Sequence, residues 1–227
     1  MRKILLSSFL LLLTTFTYAG NNDIYITQTG TGLTLTIDQI GATNKVGTAA
    51  NARVTLSGTT MTMDIDQIGD SNSFLGSFLQ GNNTSWTFKN TGDSSAGLFN
   101  VGASGDVAGT DFDYTTVGDS TTFTFTQGAS AAATSGNQDF VISGTSNTYT
   151  GICEVVGCIN NWDIDGNSNQ ITTQQTGSAN HAITVDLNGA SNTVTVHQTD
   201  TSSTNVLNLI ATTSSGTIDV DQCASGC

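Results

Sequence analysis

Hydrophobic and polar residues alternate with a period of two along most of this chain. Leu33, Leu35, Ile37 and Gln39 fall on one face of an extended segment, and Thr34, Thr36 and Asp38 on the other. A glycine follows at Gly41 and an asparagine at Asn44, and the same series returns 28 positions later from Asp64 to Phe74, with Gln67, Gly69 and Asn72 in the matching places. The pattern predicts strand, arc, strand. Gly41 supplies a positive φ, and Asn44, the next best residue for a left-handed conformation, completes the arc. One copy cannot bury its apolar face alone, whereas stacked copies can, and inward Gln and Asn side chains could then bond amide to amide along the pile.

Residues 23–46 laid over 51–74 without a gap match at 10 of 24 positions, including the run Ile-Asp-Gln-Ile-Gly. Ile24, Ile26 and Gln28 open a first strand that ends at Gly30. Glycines then recur at a nearly constant interval, as at Gly58, Gly69, Gly81 and Gly92. The half-unit is one strand and one arc, and residues 46–51 read as a longer excursion. Over residues 93–161 the spacing is irregular, from insertions or from a slipped register. Gly144 and Asn147 keep the arc there, Phe123, Phe125, Gln127, Phe140 and Ile142 keep the inward alternation, and residues 129–134 read as loop. The pattern sharpens again at Gly166/Asn169, Gln175/Gly177/Asn180 and Gly189/Asn192, followed by Gln198. A change of parity near Ala182 suggests a bulge at the twelfth residue of that unit. Two weaker strands span residues 206–220.

These elements predict one all-β domain over residues 20–227. It is a β-solenoid with two strands per coil of about 22–23 residues, forming two facing parallel sheets, at most about nine coils that each rise about 4.8 Å. Twenty-five glycines and no proline fit stacked strands, because proline breaks strand ladders.

Residues 1–19 read as a signal peptide: Arg2 and Lys3 are followed by an apolar run from Ile4 to Leu13 and a cleavage site at Thr17-Tyr18-Ala19. The run is short for a membrane span. Its removal leaves 3 basic residues against 18 acidic, a net charge of −15. That balance argues against nucleic acid and against membrane insertion, and it predicts a secreted protein. The four cysteines form two short-spaced pairs, Cys153/Cys158 and Cys223/Cys227. In an exported chain disulfides are expected, with three connectivities open. Zinc is the rival reading, although neither spacing is C-x-x-C.

Gln39/Gly41/Asn44, Gln67/Gly69/Asn72 and Gln175/Gly177/Asn180 resemble the curlin repeat of bacterial curli fibre subunits. Good matches cover roughly half of the mature chain. The resemblance implies a solenoid of two parallel sheets, export to the cell surface or extracellular matrix, and assembly into an amyloid-like fibre for adhesion and biofilm. The implied partners are further copies stacked end to end, with a nucleator or secretion channel. The irregular middle and the cysteines depart from the family pattern. The competing reading is a monomeric solenoid adhesin that binds a surface or glycan.

Other patterns add little chemistry. Asp-x-Asp pairs at Asp64/Asp66, Asp111/Asp113, Asp163/Asp165 and Asp219/Asp221 point outward, as a solvated, self-repelling face or as oxygen ligands for calcium. Thr-x-Thr at Thr34/Thr36, Thr60/Thr62, Thr122/Thr124/Thr126 and Thr193/Thr195 resembles the ice-contacting face of some solenoid antifreeze proteins. Asp38, Asp64 and Asp66 replace threonine along what reads as the same face, which would spoil a regular array and disfavours ice. His181 and His197 are expected on the outer face, Trp86 in the core, and Trp162 under a loop. No nucleophile elbow or phosphate loop is present, so neither an enzyme nor a cofactor is predicted.

Overall fold

The computed structural model describes residues 2–7, 16–18, 23–47, 54–79, 83–101, 108–128, 134–154, 156–177, 181–200 and 205–223. Among these there is no helix, and the strands build a β-solenoid of about seven turns. The chain begins β1 (Arg2–Ser7), β2 (Phe16–Tyr18), β3 (Asp23–Thr29), β4 (Thr34–Ile40), β5 (Lys45–Val46), β6 (Thr55–Ser57) and β7 (Thr62–Ile68). It continues through β8 (Ser73–Leu79), β9 (Thr84–Thr91), β10 (Ala96–Val101), β11 (Ala108–Val117), β12 (Thr122–Gln127) and β13 (Thr134–Ser143). It ends with β14 (Thr148–Cys153), β15 (Val156–Asp165), β16 (Gln170–Gly177), β17 (Ala182–Ala190), β18 (Thr193–Asp200), β19 (Val206–Ser214) and β20 (Thr217–Cys223).

The even-numbered strands from β8 onward stack in one parallel sheet, sheet A, which β1, β3, β5 and β6 extend. Strands β2, β4 and β7, then the odd-numbered strands from β9 to β19, form the facing sheet B. In the first coils β5 and β6 pair with opposite halves of β3, on either side of the excursion that the sequence pattern places at residues 46–51. Residues 48–53 lie outside the described residues. The segment expected as a signal peptide contributes β1 and β2, which pair with β3 and β4 respectively.

The repeat is less uniform than the sequence pattern suggests. Stacked positions in sheet B run Thr34, Thr62, Ser85, Asp111, Asn137, Ile159, Ala182 and Val206. The coil from Thr34 to Thr62 is the longest of these and the coil from Asn137 to Ile159 the shortest. Long coils from Ser85 to Asp111 and from Asp111 to Asn137 explain the irregular section. In sheet B it keeps its register through β9, β11, β13 and β15, so the extra residues there are insertions, whereas in sheet A the register of β10 on β8 shifts once. Of the predicted loop at 129–134, Thr134 starts β13 and the rest lies outside the described residues.

Inward parity in the alternating strands holds. Leu35, Ile37, Met63, Ile65 and Trp86 are buried, as are Val194 and Val196 near the far end. In the middle coils the interior columns turn aromatic. Phe74 stacks on Phe99 at 3.9 Å, Tyr114 on Phe123 at 3.9 Å, and Phe140 on Trp162 at 3.9 Å. Small residues make room for them: a Cβ on Gly151 would lie 2.6 Å from the Trp162 ring, and one on Gly97 2.5 Å from Phe123. Trp162 therefore fills the core of β15 rather than packing under a loop. His181 is also inside, 1 % exposed, with Nδ1 accepting from the Cys158 N–H at 3.3 Å. His197 lies on the outer surface as expected.

No bulge is needed near Ala182. Strands β16 and β18 pair without a break, and β17 belongs to the other sheet, so it sets its own inward parity with Ile183, Val185 and Leu187. The one irregular register in these ladders falls between Phe99 and Val101.

Cys153 and Cys158 form a buried disulfide, which replaces the zinc reading for this pair. It ties the end of β14 in sheet A to β15 in sheet B. Closing so short a loop is worth about 2 kcal/mol of unfolded-chain entropy. Serine at both positions should therefore lower the thermal midpoint of the unreduced protein, and a midpoint equal to that of the unreduced wild type would refute the assignment. Cys223 is disulfide-bonded too, and Cys227 lies outside the described residues.

Candidate functional site

Crossings from sheet B to sheet A share one geometry. Gly41, Gly69, Gly92, Gly118, Gly144, Gly166 and Gly189 all have positive φ, between 126° and 155°. Two residues later the chain turns left-handed again, at Thr43, Ser71, Ser94, Ser120, Ser146, Ser168 and Ser191. The left-handed residue is thus Ser or Thr, and not the asparagine after it. The asparagine turns inward: Asn44, Asn147, Asn169 and Asn192 are fully buried, and Asn72 nearly so.

The later asparagines bond to backbone in the preceding coil rather than to another amide. Asn192 Oδ1 accepts from the Asn169 N–H at 2.8 Å, while its Nδ2 donates to the Gly166 carbonyl at 2.8 Å. Asn169 repeats this with Asn147 and Gly144, both at 3.0 Å. In the first coils Asn44 and Asn72 donate instead within their own arcs, to the carbonyls of Gly41 and Gly69. Both arrangements satisfy arc groups that the strand ladders leave over. Glycine is required at the arc for packing as well as φ: a Cβ on Gly166 would lie 1.9 Å from the Gly144 carbonyl oxygen.

The glutamines form the amide ladders predicted for them. Gln67 Nε2 donates to Gln39 Oε1 at 2.8 Å, Gln198 to Gln175 at 3.0 Å, and Gln222 to Gln198 at 2.5 Å. Gln28 is buried as well. Cys153 takes a place in this column between Gln127 and Gln175. Gly30 has the expected positive φ. Gly177 instead ends β16 as a paired residue, opposite Asp200, and Asn180 lies outside the described residues. Gln127 is buried, as its place in the inward alternation predicts, while buried Gln138, Asn90 and Asn160 escaped the motif although period-two parity marks each of them as inward. The arc serines were also missed, and the recurring Gly-x-Ser could have revealed them.

The two outer faces differ chemically. Sheet B carries Asp38, Asp64, Asp66, Lys89, Asp111, Asp113, Asp139, Asp163 and Asp186 in adjoining columns. The outer face of sheet A from β12 to β16 carries no charge: β12 presents Thr122, Thr124 and Thr126, and β14 presents Thr148, Thr150 and Ile152. Along the stack one rank runs Thr122, Thr148, Gln170, Thr193 and the next Thr124, Thr150, Thr172, Thr195, without a register shift. The aspartates expected to interrupt Thr-x-Thr thus lie on the opposite sheet from this array. Asp219 and Asp221 border the array on β20.

Partial burial holds the Asp64 carboxyl above the ordinary 3.8, with Asp66 and Asp38 adding to the shift and Lys89 opposing it. Asp113 is raised likewise, first by burial and then by Asp139 and Asp111. A folded-state pKa above the unfolded one means that the fold takes up protons more readily. Stability should rise as pH falls from neutral through the raised values towards 3.8, and level off below. Melts at about pH 7 and about pH 4.5 should show the higher midpoint at the lower pH. Asp64→Asn should reduce the difference, and a lower midpoint in acid would contradict it. No group of three or more metal-ligating side chains occurs among the described residues.

Among the described residues, the last coil is less covered than the one before it. Leu207, Leu209 and Ile218 have inward parity but are only partly buried, and Val220 is 40 % exposed, whereas Val194 and Val196 one coil earlier are at 0 %. Among the described residues, strands β19 and β20 each have a ladder partner on one side only. No protein-family model, curated protein or solved structure matches this chain.

Proposed function

We propose that the chain is an exported, non-enzymatic structural protein, the subunit of a curli-like amyloid fibre serving surface adhesion and biofilm matrix. The partly covered coil of β19 and β20 carries this reading. Half-covered leucines and a glutamine ladder that ends at Gln222 offer a second copy both apolar surface and unpaired strand edges. Removal of residues 1–19 would take away β1 and β2 and leave β3 and β4 as the opposite edge. The buried disulfide fits an oxidising compartment. The proposed partners are other copies, with a nucleator or secretion channel during export.

The test is electron microscopy and fibre diffraction of exported protein whose intact mass begins at Gly20. Thin, unbranched fibres with a repeat of about 4.7–4.8 Å along the axis are expected, growing faster with salt as screening weakens repulsion. Protein that stays monomeric by light scattering for days in high salt would defeat the reading and leave the monomeric adhesin.

A further inference from the structure

We infer that the outer face of sheet A across β12, β14, β16 and β18 is an ice-binding surface, a function separate from fibre assembly. Its two ranks hold threonine at seven of eight lattice points, with Gln170 the exception. In-register parallel strands fix the lattice at about 4.8 Å along the stack and about 6.6 Å between ranks. Those spacings are close to the repeats of water oxygens along and across a prism plane of ice.

Chemistry and stiffness agree with the spacing. Each threonine offers a methyl group that orders water over it and a hydroxyl that can join the ordered layer. Branching at Cβ restricts χ1, so the array is set before ice arrives and loses little entropy on contact. The first rank's threonines are exposed, and Thr172 in the second is exposed as well.

The residues absent from this face are as informative as those present. The acidic columns of β4 to β17 lie on sheet B, and on sheet A Glu154 past the end of β14 and Asp219 and Asp221 on β20 lie beyond the eight lattice points. Flat polysaccharide surfaces are bound by exposed aromatic rings, but Phe123, Phe125 and Tyr149 on these strands are buried. A second copy seated on this face would lack both the apolar surface and the charge pairs that hold protein interfaces together. Ordered water is the occupant whose repeat matches in both directions.

The test uses freshly exported, monomeric full-length mature protein. Ice crystals grown in its presence should be faceted, with a measurable gap between melting and freezing temperatures, and fluorescently labelled protein should coat an ice hemisphere. Thr150→Lys and Thr172→Lys should lose the gap, whereas Thr62→Lys on sheet B should keep it, all with unchanged circular dichroism. Because labelled wild type reports binding directly, a variant that fails to fold does not decide the matter. Round crystals and a bare hemisphere with wild type would overturn the inference. So would equal loss in Thr62→Lys, or a Thr172→Lys effect confined to particle size in light scattering, which would assign the face to a second copy.

Discussion

Gly166→Ala is expected to destabilise the solenoid by about 3 kcal/mol or more, a large effect for a single methyl group. Two costs add. At φ 145° an L-residue is strained whatever the space around it, and the new Cβ would sit 1.9 Å from the Gly144 carbonyl oxygen. That oxygen belongs to backbone, accepts from Asn169 Nδ2, and cannot rotate away as a side chain would. Gly157 provides the control. Its φ is 69° with nothing within 4 Å of an added Cβ, so alanine there should cost only the left-handed penalty of roughly 1–2 kcal/mol. Denaturant melts of the two variants separate strain from stacking, and equal losses would mean that the arcs are not in tight contact. Because each coil touches only its neighbours, hydrogen exchange should also accelerate first in the arcs at residues 144–147 and 166–169 of the Gly166 variant.

Much of this architecture is legible in the sequence, for a simple reason. In a two-sheet solenoid every strand is buried on one face and wet on the other, so period-two alternation reports parity directly, as at Leu33 to Gln39 and at Asn169 to Gln175. Arc glycines are legible because no other residue meets both their φ and their close stacking. The middle third is obscured because its core columns change chemistry. Phe88, Tyr114, Phe140 and Trp162 replace the Ile of the motif, and insertions lengthen the coils there. His181 is legible as well, since it shares the inward parity of Ile183, Val185 and Leu187 although it precedes its strand.

The assignment of faces is hidden for another reason. Parity says in or out, but not which sheet. Counting alternate strands would settle that only if every layer held one strand per sheet. Here β5 and β6 share a layer opposite β3, so the count loses phase and the Thr and Asp columns cannot be separated without the structure.

Asn169→Leu should cost about 2–5 kcal/mol, although leucine is more apolar and close to asparagine in size. The site is wholly buried, yet its value to the fold is polar. Asn169 Oδ1 accepts from the Asn147 N–H, and Nδ2 donates to the Gly144 carbonyl, each at 3.0 Å. Leucine leaves both backbone groups without that partner in an arc that water cannot easily enter, at about 1–3 kcal/mol each. Its own N–H bond to Asn192 Oδ1 at 2.8 Å would remain, so the damage should spread towards the N-terminal neighbour and not the C-terminal one. Asn167, two residues before, is the comparison. It is exposed and its side chain accepts from the Ala190 N–H at 2.7 Å, while its backbone carbonyl, which alanine would keep, accepts from Ser146, so Asn167→Ala should cost about 1 kcal/mol or less. Two other coils place Ser95 and Thr121 at the asparagine position, which suggests an intermediate loss for Asn169→Thr. Chemical melts of the three variants should rank Leu, then Thr, then the Asn167 change. A stabilising leucine would show that hydrophobic burial, and not the side-chain-to-backbone lattice, locks each coil to the one before it.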